Sequence, residues 1–352
     1  MTNKLRVLVS GVAVASVLAF TGCGDKKEEQ KSGEVAKAVS GEYVLKFSHV
    51  VSPNTPKGKA ADYFEKRLEE LSGGRIDVQV YPSSQLYNDS DALKALKLNS
   101  VQMAAPSFSK FGKLVPQLAI FDLPFLFNDM DHLHRVQDGE VGQKLKDMVT
   151  AKGFVALDFW DNAFKQLSTS RETPLLTPAD AEGQKFRIMS SKVLEEQFLA
   201  VNANPQMMPF SEVYSGLQQG VIDGQENTNS NMYSKKFFEV QRHITLSNHG
   251  YLGYLVVMSE KFWNSLPKDL KVAVKQAMKE ATAKEREFAT ALDVEQAGLI
   301  KKYADETGKL SVHTLTEAQT NAWKEAVRPI YSKFYDNGKI GKDLIEGALN
   351  TK

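Results

Sequence analysis

One arginine stands in a short apolar segment, and it has the clearest potential for chemistry in this sequence. In Lys185-Phe186-Arg187-Ile188-Met189 the guanidinium group is flanked by two large apolar side chains. A buried charge without a partner is very costly, so Arg187 needs a counterion. That counterion is either an internal Asp or Glu, which would make the arginine structural, or an anion from outside, which would make it a binding group. The residues alone leave both interpretations open.

A polar cluster follows about 35 positions later. Asp223-Gly224 is a turn signal, and Gln225, Glu226 and Asn227 come directly after it. Turn residues of this kind end one element and begin the next. The cluster is therefore either a capped loop or part of the same polar site as Arg187.

Enzymatic motifs are missing from the sequence. It contains no Gly-x-Ser-x-Gly elbow, P-loop, His-Glu-x-x-His helix or dinucleotide-binding fingerprint. His132 and His134, beside Asp129 and Asp131, are two positions apart and so do not share a helix face. We therefore expect no metal, no cofactor and no enzymatic activity.

Composition narrows the classes of partner. The chain has 352 residues, 42% hydrophobic and 25% charged, which is enough for two ordinary domains of a globular protein. Its formal net charge of +1 argues against a nucleic-acid partner, which requires a marked basic excess. Any anion site must be a local cluster of positive charge.

The elements that must position these residues alternate between strands and helices from Tyr43 onward. Predicted strands are 43–49, 75–81, 101–105, 154–160, 185–189, 242–247 and 251–258. Predicted helices begin at Pro56, Asp89, Ser191 and Ser211, and a much longer one runs from Pro267 to about Tyr303, with a last helix through Tyr335. This order predicts an α/β fold with a mostly parallel sheet. Two such units without a disordered linker predict two lobes joined by strands, with a cleft between them.

The first 41 residues are predicted to lie outside the fold. Lys4 and Arg6 precede an apolar run from Val7 to Phe20, which is too short for a transmembrane span and fits a signal peptide over residues 1–22. The next residue, Cys23, is the only cysteine, and the segment resembles a bacterial lipoprotein signal in which that cysteine is lipidated. The alternative is an ordinary secretory signal with an incidental cysteine. Residues 23–41 are polar and predict a flexible tether.

The segment 185–189 and its continuation over 208–227 resemble the signature of the solute-binding subunits of TRAP transporters (tripartite ATP-independent periplasmic transporters), the DctP family. Three further motifs agree with the family: Phe47-Ser48-His49-Val50-Val51 followed by Thr55-Pro56-Lys57-Gly58, then Pro82-Ser83-Ser84-Gln85-Leu86, and Phe121-Asp122-Leu123-Pro124-Phe125-Leu126-Phe127. The similarity runs from about Val44 to beyond Phe334. Within the family, the pattern around His49 and Lys57 resembles the four-carbon dicarboxylate branch more than the sialic-acid branch.

The resemblance implies a type II-like periplasmic binding protein fold with hinge strands and a long helix crossing both lobes. We expect one lobe from residues 42–162 with about 253–290, and the other from 163–252 with about 291–352. It also implies membrane permease subunits as partners and a periplasmic location, with a lipid anchor at Cys23. A sensor-associated binding protein of the same fold is an alternative.

The resemblance also implies a role for each site residue. Arg187 would hold a ligand carboxylate, Asn227 would hydrogen-bond it, and Phe210 would pack against the ligand body. Many family members have a second arginine where this chain has Lys165. For the far carboxylate we expect Lys57, with His49 and Gln85 as neighbouring donors. The expected ligand is malate, succinate or fumarate, and a keto acid or a monocarboxylate stays open because a lysine cannot form the planar fork of an arginine.

Overall fold

Two long strands run through the centre of a nine-stranded sheet in the computed structural model, which describes residues 41–336 and 338–352. These are β4 (Phe154–Thr169) and β8 (His243–Ser259), which pair antiparallel with each other. On one side lie β1 (Tyr43–Ser48), β2 (Ile76–Tyr81) and β3 (Met103–Ala104), parallel to one another. On the other side lie three more parallel strands, β5 (Lys185–Ile188), β6 (Asn204–Met207) and β7 (Gly224–Asn227). A ninth strand, β9 (Ser311–Thr314), pairs with β8.

The sheet accounts for the two-lobed α/β architecture. The strand order is β2-β1-β3-β8-β4-β7-β5-β6, so each parallel group belongs to one lobe and the two long strands belong to both. The β4–β8 pairing shifts register at three places, between Ala156 and Asp158, Asp161 and Ala163, and Lys165 and Leu167. Such irregularities bend a strand locally, which suits a connection between lobes. The predicted mostly parallel sheet is confirmed, with parallel pairing in the two outer groups and between β8 and β9. The exceptions are at the centre, where β4 pairs antiparallel with β7 and β8, and β8 pairs antiparallel with β3.

Eleven α-helices cover the sheet within the described ranges. They are α1 (Pro56–Ser72), α2 (Asp89–Lys97), α3 (Met130–Asp138), α4 (Glu140–Thr150), α5 (Lys192–Leu199), α6 (Val213–Gln218), α7 (Asn229–Ser234), α8 (Glu260–Ser265), α9 (Lys268–Thr307), α10 (Glu317–Val327) and α11 (Lys342–Asn350). None of them is long and apolar enough to span a membrane.

Local sequence explains the ends of the first helix. The Thr55 hydroxyl accepts a hydrogen bond from the Gly58 amide, and Pro56 occupies the first helical position. Gly73 then ends the helix in a left-handed conformation, with φ of 62°. Phe64 and Leu68 share the buried face and pack with the apolar side chains of β1 and β2.

The long helix α9 packs against both lobes. Its 40 residues extend about 60 Å at 1.5 Å per residue. It contacts α1 near the first parallel strands and α7 near the second, with β4 between them. The predicted long helix crossing both lobes is therefore confirmed.

Several predicted element boundaries are wrong, and the first is that of the strand predicted over 154–160, which continues to Thr169 as β4. The segments 242–247 and 251–258 form a single strand, because β8 continues through an irregularity at Asn248, where φ is 44°. The helix predicted to begin at a Ser211 cap begins at Val213, after Glu212. The helix predicted to run through Tyr335 ends at Val327, and a 3-10 segment containing Pro329 follows it.

The last helix packs far from its neighbours in sequence. Ile345 and Ala348 of α11 are fully buried with Leu145 and Val149 of α4. The chain therefore returns to the elements that follow β3. The predicted residue boundaries of the lobes stay predictions. The predicted signal peptide, Cys23 and the tether up to residue 40 lie outside the described residues.

Candidate functional site

A cavity of about 300 Å³ lies where the carboxyl ends of several strands meet. Val51 follows β1, Ser107 follows β3, and Met189 follows β5, and all three line the cavity. Ligands of open α/β sheets bind at this edge. The cavity is at the small end of the usual range of about 300–1,000 Å³ for ligand pockets.

Arg187 is a buried cation in the cavity wall without an acidic partner. It lies on β5, and its side chain lines the cavity although the residue is only 3% exposed. Its Nε donates to the Met208 carbonyl at 3.0 Å. Within residues 41–336 and 338–352 no carboxylate comes within ion-pair distance of Arg187, and its Nη atoms donate no hydrogen bond. Burial lowers the pKa of Arg187 to about 10, so the group stays positive at neutral pH.

Asn227 presents a free amide donor on the adjacent strand β7. Its Oδ1 accepts from the Thr228 amide at 3.1 Å and from Asn231 Nδ2 at 2.8 Å. These two bonds fix the amide with its oxygen toward α7. In the described part of the chain Nδ2 has no acceptor, and Asn227 lines the cavity. The arrangement can donate one hydrogen bond to an anion.

Lys165 is also buried in the cavity wall, but the protein supplies its counterion. It is 1% exposed and forms an ion pair with Glu226 Oε1. Glu226 Oε2 contacts His249 Nε2 at 2.8 Å and accepts from Gln197 at 3.3 Å. Burial opposes ionisation of Glu226, yet Lys165 and His249 outweigh it and hold the pKa of this carboxyl at about 2. Opposite Lys165 on β8 lies Gly250, where a Cβ would be 2.8 Å from Lys165 Cε.

Phe210 contributes an apolar surface to the cavity. It begins a 3-10 turn before α6, and its ring lies edge-on to Phe237 with centroids 5.9 Å apart. The half-buried ring can pack against the body of a small ligand.

Comparison with known proteins agrees with this geometry. Residues 47–337 match the profile of the family described as DctP, bacterial extracellular solute-binding protein, family 7. The chain belongs to this family.

Individual relatives of the DctP family align over most of both chains. The C4-dicarboxylate-binding periplasmic protein DctP of Rhodobacter capsulatus is 46% identical over 303 residues, covering 86% of this chain and 89% of the relative. A TRAP periplasmic solute-binding protein from Sulfurospirillum deleyianum, solved with bound succinate, is 60% identical with a TM-score of 0.86, covering 89% of this chain and all of that one. Another from Pseudomonas aeruginosa, solved with bound L-malate, is 38% identical with a TM-score of 0.78, covering 83% and 100%.

Three of the predicted site residues lie outside the cavity wall. Lys57, on α1, is fully buried and donates to the Ala105 carbonyl at 2.9 Å. Its Nζ lies 3.6 Å from the ring centroid of Tyr254, whose side chain does line the cavity, and burial lowers the pKa of Lys57 to about 8. His49 is buried beside Phe47, and burial followed by the charge of Lys57 lowers its pKa to about 3, so it is neutral. Gln85 is exposed.

Sequence reasoning missed a lysine in the cavity wall. Lys110 lies in the 3-10 segment Phe108–Phe111 and lines the cavity. It donates to Ser190 Oγ at 3.2 Å, and no carboxylate is within 4 Å of it among the described residues. Burial lowers the pKa of Lys110. Its place just after β3, at the carboxyl edge of the sheet, was the available signal.

The lining charges balance only partly. Asp91, in the cavity wall, pairs with Lys94 at 2.9 Å, as Glu226 pairs with Lys165. Arg187 and Lys110 are then opposed by Asp89, which accepts from the Ser107 amide at 3.3 Å. The unpaired charges therefore favour an anion.

The histidine pair that resembles a metal site has other partners. His132 Nε2 lies 2.8 Å from the Ala348 carbonyl, and His134 Nε2 lies 2.5 Å from Asp161. Across the described ranges no cluster of three or more potential metal ligands occurs.

Proposed function

We propose that the protein captures a four-carbon dicarboxylate such as succinate or malate and delivers it to the membrane permease of a TRAP transporter. One observation carries this proposal: Arg187 is a buried cation without an internal counterion, in a cavity sized for a small ligand. Membership of a solute-binding family supports binding rather than catalysis. The named ligands of the R. capsulatus and S. deleyianum relatives support the choice of a dicarboxylate.

One carboxylate of the ligand would be the counterion of Arg187. The free edge of a guanidinium can hold a carboxylate by two parallel, charge-assisted hydrogen bonds. Nδ2 of Asn227 is the neighbouring donor without an acceptor, and Phe210 would cover the carbon chain.

The second carboxylate would be held by lysine. Lys110 has no carboxylate partner among the residues described, and two of the three donors of the Lys165 ammonium are free of Glu226. Lys57 lies outside the cavity wall, behind Tyr254, and would make the electrostatic potential in the cavity more positive without contacting the ligand. His49, being neutral, and the exposed Gln85 would contribute least.

Capture would proceed by closure of the two lobes about β4 and β8. These strands are the structural connection between the two parallel groups, and their register shifts offer places for bending. Closure excludes water, which strengthens each hydrogen bond to the ligand. The ligand would leave chemically unchanged.

Isothermal titration calorimetry with succinate, malate and fumarate tests the proposal. We expect micromolar dissociation constants, about −8.2 kcal/mol at 1 µM. Butyrate, which has the same number of carbons and one carboxylate, should bind at least about tenfold more weakly, because one charge-assisted contact is lost. Tight binding of butyrate or of a sugar acid, with no heat from the three dicarboxylates, would contradict the proposal. NMR of the ligand after overnight incubation should show no product.

The proposal includes export and a lipid anchor at Cys23. The supporting observations are the apolar run from Val7 to Phe20 and the single cysteine directly after it. In cells fed a labelled fatty acid, the wild-type protein should carry the label and sediment with membranes. A Cys23→Ser variant should be unlabelled and soluble in the periplasm. Equal distribution of the two proteins would reject the anchor without affecting the assignment of the ligand.

A further inference from the structure

A second concave surface, which we name the lysine groove, adjoins the ligand cavity. Its volume is about 1,100 Å³, and it is bounded by α2, the segment after Lys110, the start of α5 and the residues around Phe334. Four residues line both the groove and the cavity: Ser90, Lys110, Ser190 and Met207. The groove and the cavity therefore share a boundary.

The groove concentrates positive charge. Its lining includes seven lysines and one glutamate, a formal charge of +6. The whole chain carries a formal charge of +1, so all remaining residues together carry −5. A protein that is nearly neutral overall thus presents a strongly positive face beside its ligand site.

Four of these lysines lack a neutralising partner. Three others form ion pairs with surface carboxylates, Lys94 with Asp91 at 2.9 Å, and Lys192 and Lys333 with Glu195 and Glu196 at 2.5 Å each. For Lys97, Lys110, Lys113 and Lys339, no carboxylate lies within 4 Å in the ranges that the structure covers. Lys97, Lys113 and Lys339 are exposed, whereas Lys110 is half-buried at the junction with the cavity.

The walls between these lysines are apolar. Leu93, Leu114, Pro116 and Ile340 line the groove and place low-dielectric material beside the charges. Clefts with charge of one sign and low-dielectric walls focus the field and raise the local concentration of oppositely charged ligands. A dianion experiences twice the attraction of a monoanion.

We propose that the lysine groove is an entry lane that collects small organic dianions and raises their rate of association with the ligand cavity. This inference rests on the proposed function, because it assumes that the cavity takes a dicarboxylate. The exposed lysines act before the ligand reaches Arg187. They therefore set the association rate constant and leave the dissociation rate constant unchanged.

Stopped-flow kinetics of succinate binding to the purified protein tests the inference, with the tryptophan fluorescence as the signal. The test variant is K97Q/K113Q/K339Q. The matched control is K152Q/K268Q/K279Q, which removes the same charge from exposed lysines that line neither the groove nor the cavity. Both variants leave every proposed ligand contact intact.

At about 20 mM salt, the groove variant should associate at least about threefold more slowly than wild type. The control should stay within twofold of wild type. At about 0.5 M salt, where the Debye length is a few ångströms, all three proteins should converge. The dissociation rate constants should be equal throughout. Butyrate should lose less of its association rate than succinate does.

Two results would overturn the inference: equal slowing of the groove variant and the control, or a change confined to dissociation. Calorimetry at 0.5 M salt separates either result from a failure of the proposed function. Wild-type protein that binds succinate there but shows no special effect of the groove lysines would remove only the entry lane. Wild-type protein that binds no dicarboxylate would contradict the proposed function itself.

Discussion

Arg187 and Lys165 are two buried cations in the wall of one cavity, and they differ in whether the protein supplies a counterion. Both are at most 3% exposed and both lie on strands of the central sheet. Lys165 is neutralised by Glu226, which His249 also contacts, whereas Arg187 has only the Met208 carbonyl. Burial of a charge is tolerated where a counterion is supplied. The comparison shows that the protein supplies the counterion of Lys165 and leaves Arg187 to pair with a ligand.

The largest effect on folding should come from Lys165. In Lys165→Met, Glu226 stays buried and keeps its contacts with His249 and Gln197 but loses its lysine partner. Breaking a buried pair in this way costs about 3–5 kcal/mol. Urea denaturation of the ligand-free protein measures this loss. The double variant Lys165→Met/Glu226→Gln removes both charges and should recover most of the stability. If the single variant were as stable as wild type, the ion pair would not be structural.

Arg187 should show the opposite behaviour. Arg187→Met removes a charge that has no counterion in the described structure, so the free energy of unfolding of the ligand-free protein should stay equal or rise. Succinate affinity should fall by about 2–5 kcal/mol, or about 30-fold to several thousand-fold. Calorimetry and urea denaturation measure the two quantities. The exposed Arg171, paired with Asp223 at 2.8 Å, provides the control variant Arg171→Met, which should bind normally. Loss of stability without loss of affinity would reverse the comparison.

Asn227→Asp should give Arg187 a counterion from the protein, as Lys165 already has. The new carboxylate keeps the oxygen that accepts from Thr228 and Asn231, and it replaces the free Nδ2 donor with a negative oxygen. An internal carboxylate in the same cavity wall as Arg187 should raise the stability of the ligand-free protein. Loss of a charge-assisted hydrogen bond should weaken succinate binding by at least about 1.5–3 kcal/mol. Thermal denaturation with and without succinate follows both effects, and an unchanged ligand-induced shift would exclude Asn227 from the site.

Glu285 is a buried acidic residue without a counterion in the part of the chain that the structure describes, and it allows the same comparison for a negative charge. Its expected effect on stability is the smallest of the four. It is a fully buried carboxylate on α9 that accepts from the Asp161 amide at 2.8 Å, and no cation lies within ion-pair distance in the described structure. Burial, followed by the charge of Asp161, raises the pKa of Glu285 well above its usual value. Its ionisation therefore opposes folding, and stability is lost as pH rises from the unfolded-state pKa of about 4.3 toward the folded value.

Glu285→Gln should relieve this loss. Relative to wild type, its free energy of unfolding should rise by about 1 kcal/mol or more between pH 5 and pH 8, since one pKa unit corresponds to about 1.4 kcal/mol. Urea denaturation at the two pH values measures the difference. Glu280→Gln is the control, because hydrogen bonds from Arg67 and Gln276 lower the pKa of Glu280. Glu280 therefore titrates below this window in the folded protein, and its replacement should give a difference in stability that is nearly independent of pH between pH 5 and pH 8. A pH-independent difference for Glu285→Gln would show that the carboxyl does not titrate in this range.

Elements with strong local signals could be predicted from the sequence. The helix that begins at Pro56, the strand predicted over 75–81 and the long helix α9 each depend on near neighbours, and all are confirmed. The continuity of β8 could not be predicted, because Asn248 and Gly250 are turn residues locally. Pairing with β4 along its whole length overrides that preference. The packing of α11 on α4 depends on contacts nearly 200 positions apart, which no local pattern contains.

The candidate site divides in the same way. Arg187 could be selected because a charge in an apolar strand is unusual in itself. The pairing of Lys165 with Glu226 could not, because it joins β4 to β7 across 61 positions. Lys110 could have been selected because it follows the predicted strand 101–105, but it stands six positions after Ala104, the last residue of β3.

Gly250 has a consequence for any survey of variants of this protein. It has an ordinary negative φ, so backbone freedom does not explain a glycine at this position. A methyl group here would lie 2.8 Å from Lys165 Cε, too close for an ordinary contact, so the side chain that pairs with Glu226 would have to shift. Gly250→Ala should therefore disturb the ion pair of Lys165 and Glu226 in the binding site. It would act like the mutation of a charged residue, although neither glycine nor alanine carries a charge.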